Sequence, residues 1–305
     1  MKRNLCSDSF TSVVFNSGAG SGKTYALIQC LKYIIGIHHD DLKNHNQKIG
    51  CITYTNVAAE HIKHQLGVSD VVEISTIHER IWSIICSQKS ALLGLHIEKL
   101  NSEVELLNSQ LLSNSEYEKY RALDASAQER FFQLMLENKK KYNMAYNLKA
   151  TEFKAAMPEE IRLQYAELIS NVSKFKGLVD KLFKRKRYLD CLCKIESGEK
   201  DYRVVNYDAM YNRDRLDKMR ISHDTLLEYG YELIERYPRM RQLIIDKYPY
   251  ILIDEYQDTA DIVVKIMSLI EQYAKQIKHD VFIAYFGDSV QNIYDAGVGE
   301  RLTRL

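Results

Sequence analysis

Asn16-Ser17-Gly18-Ala19-Gly20-Ser21-Gly22-Lys23-Thr24 decides the fold of this 305-residue chain. A short apolar run, Ser12-Val13-Val14-Phe15, precedes it and reads as a strand. Tyr25-Ala26-Leu27-Ile28-Gln29-Cys30-Leu31 follows and reads as the first turns of a helix. Strand, glycine-rich loop, Lys-Thr and helix make a phosphate-binding loop. The glycines let backbone N–H groups face an anion, and the helix N-terminus adds partial positive charge at the same point. Gly18, Ala19, Gly20, Ser21, Gly22, Lys23, Thr24 and Tyr25 are the candidate nucleotide-binding residues. Lys23 has the reach for the β- and γ-phosphates, and the Thr24 hydroxyl suits Mg²⁺. The strict pattern has glycine where this chain has Ser17. The bland alternative is a flexible turn, which Gly-Lys-Thr between a strand and a helix argues against.

Composition sets the class. Hydrophobic residues make up 46% and charged residues 27%, as in an ordinary globular protein with room for one large domain or two modest ones. The net charge is +1, so nucleic-acid binding would need local patches. The six cysteines form no CxxC pair, which speaks against a zinc site or a disulfide framework and fits a reducing cytoplasm. The first nine residues lack the apolar core of a signal peptide, and no run is long enough to span a membrane, so no membrane partner is expected.

Further strands alternate with helices, the pattern of a parallel sheet with ligands at the carboxyl ends of its strands. His38-His39-Asp40-Asp41 reads as a polar loop after the first helix, without further ligands at metal spacing. Ile49–Thr55 reads as a second strand whose end offers Thr53, Thr55 and Asn56 for polar contact or for helix capping. Val71–Ser75 reads as a third strand, followed by the capping box Thr76–Glu79 with His78 in the helix's first turn. From about 89 to 220 glycine nearly vanishes and apolar residues recur at helical spacing, which predicts an inserted all-helical subdomain. Its basic run Lys181–Tyr188 suits either a phosphate backbone or a solvated helix face. The sheet resumes with Tyr250–Ile253 and then Asp254-Glu255, where Asp254 suits Mg²⁺ and Glu255 suits orienting or deprotonating water. A helix from 261 to 278 leads to a last strand, Val281–Phe286, and then Gly287-Asp288-Ser289-Val290-Gln291, where the Gln291 amide could read a γ-phosphate.

Taken in order, the glycine loop, Thr53-Tyr54-Thr55-Asn56-Val57-Ala58-Ala59-Glu60, Ser75-Thr76-Ile77-His78, Asp254-Glu255-Tyr256-Gln257-Asp258-Thr259 and Gly287–Tyr294 resemble the first five motifs of UvrD/Rep-type superfamily 1 DNA helicases. Ile221–Leu227 resembles that family too. The resemblance covers essentially the whole chain, the insertion matching only in kind. It implies an α/β fold, a RecA-like P-loop parallel sheet flanked by helices, in two parts (1–88 and 221–305) around the helical subdomain at 89–220. It implies ATP and Mg²⁺ as cofactors, with Lys23, Glu255 and Gln291 catalytic and Thr24 and Asp254 on the metal. It implies that Thr53, Tyr54, Thr55, Asn56, His78 and Tyr294 line a path for single-stranded DNA, with Tyr54 and Tyr294 stacking on bases.

Three departures bear on function. Too few residues precede Ser12 for the family's adenine-reading glutamine motif. Asp295-Ala296-Gly297 stands where the family has Arg, an aromatic and Arg. The second RecA-like domain, with its arginine finger, has no counterpart in these residues, so a second lobe or a partner (a protein supplying that lobe, or a nuclease) is expected. The expected activity is therefore ATP hydrolysis in a UvrD-like helicase acting on single-stranded or unwinding duplex DNA. The alternative is a non-hydrolytic ATP- and DNA-binding subunit or switch in a DNA repair or anti-phage assembly. A small-molecule kinase would not account for Thr53–Glu60 or Gln257-Asp258-Thr259.

Overall fold

The computed structural model describes residues 11–16, 18, 22–258 and 260–288. Five strands form one sheet: β1 (Thr11–Asn16), β2 (Ile49–Thr53), β3 (Val72–Thr76), β4 (Tyr250–Asp254) and β5 (Phe282–Gly287). Their order is β1-β5-β4-β2-β3 and every pairing is parallel. All five carboxyl ends therefore lie along one edge, and β5 brings its end between those of β1 and β4. This is the expected RecA-like arrangement.

Alternation along the strands explains the layers. Ile49 and Cys51 of β2, Leu252 of β4 and Phe282, Ala284 and Phe286 of β5 share a core with α1 (Lys23–Asn44) and α2 (Asn56–Leu66). The intervening residues, Gly50, Ile52 and Ile251, meet the other face. There α3 (Ile77–Ile85), α4 (His223–Arg236), α5 (Pro238–Lys247) and α6 (Asp261–Ile277) contribute Ile81, Ile234, Ile244 and Ile266. Strands buried on both faces need near-continuous apolar sequence, which is what β4 and β5 have. The same face holds a partly buried ionic cluster. Arg80 of α3 donates to a Glu73 carboxylate oxygen and, at 2.6 Å, to Tyr248 Oη, while Tyr248 Oη donates to Glu73 at 2.6 Å.

Two expectations need correction. His38-His39-Asp40-Asp41 is not a loop, because α1 runs through it to Asn44. Buried Leu42 anchors the last turns, and His39 and Lys43 both pair with Asp70, at 3.0 and 3.3 Å. Strand β2 stops at Thr53 rather than Thr55, because the Thr53 hydroxyl turns the chain by donating to Thr55 O at 3.0 Å and Thr55 then caps α2.

The chain divides into two compact units, residues 1–92, 207–214 and 221–305 in one and 93–206 and 215–220 in the other. The second unit is helical over most of its length, and an aromatic core that includes Phe131, Tyr142, Phe153 and Phe175 fills it. Its basic run lies on the helix Val172–Glu196, and four of its cations meet acceptors within the unit. Lys181 donates to Gln110 at 2.8 Å, Lys184 pairs with Glu103 at 2.9 Å, Lys186 with Asp190 and Arg187 with Asp217 at 3.8 Å. These cations are committed to neighbours and do not form an open phosphate track.

Candidate functional site

The turn from β1 into α1 ends on Gly22, the N-cap residue of α1, at φ 85°. A side chain would be strained there, so glycine is required by the backbone. A Cβ at Gly18 would meet nothing within 4 Å among the described residues. Lys23 opens the helix, and its Nζ lies 3.2 Å from Glu255 Oε2 with only 9% of the side chain exposed. Thr24 is half-buried beside it, and Tyr25 is 67% exposed. Of the loop's assigned residues, Ala19, Gly20 and Ser21 lie outside the described residues, as do Gln291 and Tyr294.

Strand β4 delivers Asp254 to the same edge, 4% exposed. Its Oδ1 is buried and has no hydrogen-bond partner among the described residues. Burial, and secondarily the neighbouring Glu255 charge, pushes its carboxyl up to about 6. A buried carboxylate with an open lone pair suits a cation, and Mg²⁺ needs only one or two protein ligands beside phosphate oxygens and water. No group of three or more His, Cys, Asp or Glu at metal spacing occurs among the described residues.

Glu255 has φ 50°, unusual for a residue with a side chain, and a 3-10 turn follows at Tyr256–Asp258. Strain of this kind persists only where surroundings hold it. Gln257 is part of that hold. Its amide N donates to Glu255 Oε2 at 2.5 Å, and its amide O accepts from the Asp288 backbone N–H at 3.0 Å. The side chain thereby ties the end of β4 to the end of β5. It fits only because Gly287 has no side chain: a Cβ there would lie 2.4 Å from Gln257 Oε1 and from Tyr256 Cδ1.

The β2 and β3 ends form the second part of the edge, with Thr53 opposite Thr76 in register. Thr53 is buried, and the Thr53 and Thr55 hydroxyls are both engaged with backbone. Tyr54, 47% exposed, and Asn56, exposed at the start of α2, face solvent. His78 sits in the first turn of α3 behind the Thr76–Glu79 capping box. Its ring stacks on His223 of α4, with centroids 4.5 Å apart. Burial first, and His223 second, holds its imidazole below its ordinary range. Sequence reasoning brought Lys23, Thr24, Asp254 and Glu255 together. It did not single out Gln257, Asp288 or His223. Gln257 could have been suspected from Gly287 downstream, because a close approach needs a partner; His223 carried no local signal.

Residues 3–296 match the family described as UvrD/REP helicase N-terminal domain. The chain is 47% identical over 298 residues to Gabija protein GajB of Bacillus cereus (strain HuB5-5), covering 98% of this chain and 43% of that protein. It is 28% identical over 289 residues to ATP-dependent DNA helicase Rep of Buchnera aphidicola subsp. Baizongia pistaciae, covering 91% of this chain and 33% of that one. A probable DNA helicase II homolog of Mycoplasma capricolum is 25% identical over 285 residues. The chain thus spans less than half the length of these curated relatives.

Proposed function

We propose that this chain, which belongs to the UvrD/REP helicase family, binds ATP with Mg²⁺ at the β1, β4 and β5 ends and hydrolyses it while single-stranded DNA occupies the β2 and β3 ends. The observation that carries this reading is the Lys23–Glu255 ion pair at 3.2 Å beside the unpartnered Asp254 oxygen. Both halves of a phosphoryl-transfer site meet there before any ligand arrives. In this reading Lys23 exchanges Glu255 for phosphate oxygens, which leaves the Glu255 carboxylate free to accept a proton from the attacking water. Gln257 keeps that carboxylate aimed, because its amide N–H stays on Glu255 Oε2. Asp254 and Thr24 would hold the Mg²⁺, which supplies charge neutralisation at the phosphates when bound. Gln291 would report the γ-phosphate. Tyr54, Asn56, His78 and Tyr294 would contact the strand, with the Thr53 and Thr55 hydroxyls shaping its bed. The finer setting we infer is cytoplasmic DNA maintenance or anti-phage defence. A second motor lobe, from a longer form of the protein or from a partner, would complete the cycle.

The test is ATP turnover by the full-length protein with and without single-stranded DNA, beside Lys23→Ala and Glu255→Gln. Turnover that DNA stimulates and both substitutions abolish is the expected result. Tight ATP binding without turnover under either condition would overturn the hydrolytic reading in favour of a binding subunit.

A further inference from the structure

From the first turns of α3 and α4 we infer a proton-operated clasp. With His78 uncharged, its ring stacks on His223 and holds the two helix starts together; a proton taken up by His78 turns the ring out to water and parts them. This goes beyond the reading above, which uses His78 only as a contact for the strand.

The rings meet because of where each helix begins. Thr76 caps α3 and Ser222 caps α4, accepting from Thr225 N at 3.3 Å. His78 therefore lies in the first turn of one helix, and His223 is the first residue of the other. Their centroids are 4.5 Å apart and their planes 30° from parallel. His223 is anchored: its Nδ1 shares a hydrogen bond of 2.8 Å with Tyr207 Oη, and its backbone N–H donates to Asn212 Oδ1 at 2.9 Å. His78 is not, since among the described residues its ring makes the stack and no hydrogen bond. Beyond the stack the helices touch directly, because a Cβ at Gly230 of α4 would lie 2.5 Å from Ile81 Cγ2 of α3. Movement is thereby confined to the first turns.

A charged His78 is poorly served in the closed arrangement. An imidazolium carries two N–H donors, and the stack offers neither of them an acceptor. The unpaired N–H groups at the start of α3 add partial positive charge beside the ring. On α4, His223 disfavours the charged ring, and Asp224 favours it from an exposed position. On α3, Glu79 accepts from Thr76 N at 3.1 Å, and Arg80 is turned to Tyr248 and to Glu73 of β3. On the segment 207–214, Asp208 accepts from Met210 N at 3.0 Å, and Tyr207 stays on His223. Burial outweighs Asp224 and holds the imidazole below its ordinary value of 6.5. The folded protein thus binds this proton less readily than the unfolded chain does. The stack's contribution is whole above pH 6.5 and is lost as pH falls below it. An anion at the β3 end would supply the counter-charge that Asp224 alone does not, so strand binding and proton uptake are linked. That link rests on the single-strand reading, and the clasp itself does not.

Trp82, the chain's one tryptophan, lies four residues beyond His78 on the same face of α3, its ring 5.7 Å from that of Tyr207. The test follows Trp82 emission in the full-length protein from about pH 8 to about pH 5, with a Trp82→Phe background subtracted. A reversible change with its midpoint below 6.5 is expected. His78→Phe, which keeps a stacking ring but cannot titrate, should abolish the change. Asp224→Asn, an exposed substitution, should move the midpoint to lower pH. No change in the wild type, the same change in His78→Phe, or an upward move in Asp224→Asn would overturn the clasp. Saturating oligothymidylate should raise the midpoint. An oligonucleotide that binds in anisotropy titrations and leaves the midpoint unmoved would overturn the link. One that does not bind at all would overturn the single-strand reading, and the free protein's midpoint would still decide the clasp.

Discussion

Replacing Asp254 with asparagine should stabilise the ligand-free protein, by an amount that grows with pH. Asp254 is 4% exposed, and its carboxyl is pushed from the ordinary 3.8 up to about 6, by burial first and by Glu255 second. A carboxyl raised in the folded state lets the native protein hold the proton more tightly than the unfolded chain does. Its favourable contribution is complete below pH 3.8 and is lost as pH rises through about 6. Linkage with these two values gives a wild-type penalty of about 1 kcal/mol at about pH 4.5 and about 3 kcal/mol at about pH 7.5. An asparagine amide never ionises, so the Asp254→Asn advantage should widen by about 2 kcal/mol across that interval. Comparing two pH values cancels any fixed cost of the unpaired amide. On a chain of this size the widening corresponds to about 3 °C in melting temperature. Thermal melts of both proteins at the two pH values measure it. Adding Mg²⁺ should close part of the gap at about pH 7.5, since the ion would bind only the carboxylate. An advantage that is equal at both pH values, or that shrinks as pH rises, would refute the account of Asp254 as a buried, unpartnered charge.

Other substitutions probe the surroundings of that charge. Gln257→Glu should lower ATP turnover by about 10- to 100-fold with nucleotide affinity little changed, because it places a carboxylate where an amide N–H held Glu255; single-turnover rates beside nucleotide titrations separate the two. Gly287→Ala should cost about 1–3 kcal/mol in urea unfolding, since its Cβ would sit 2.4 Å from Gln257 Oε1. Tyr248→Phe should cost about 1–2 kcal/mol by the same assay, because its hydroxyl bonds both Arg80 and Glu73 at 2.6 Å. Lys184→Ala should change single-strand affinity less than about 2-fold, because Lys184 is already paired with Glu103 at 2.9 Å.

The strands were legible because each is short, apolar and followed by residues with no role inside a sheet. Gly22, Thr55 and Thr76 mark the three turns into helices by their own chemistry, so the edge that carries the site could be drawn from local signals. What was not legible depends on partners distant in sequence. Whether Lys181–Arg187 is open or neutralised depends on Glu103, Gln110 and Asp217, which no periodicity links to it. The extension of α1 through His38–Asp41 depends on Asp70, on the far side of β2 and α2. His223 acquires meaning only when α4 brings it against His78. The return of residues 207–214 to the first unit leaves no compositional mark, because that segment commits its polar side chains to the start of α4.

The place of β1 at the sheet margin has a consequence for how the protein is made. Its named neighbour in the sheet is β5, to which it pairs from Thr11 with Phe282 through Asn16 with Gly287. A ribosome therefore releases the phosphate loop well before the strand that docks it, which follows only after residue 282 has emerged. Until then the β1 backbone donors and acceptors have no sheet partner among the described residues, and closing so long a loop makes this the slow, late step of assembly. Nucleotide affinity should accordingly appear in one step as nascent chains lengthen past β5, long after β2, β3 and β4 have been made.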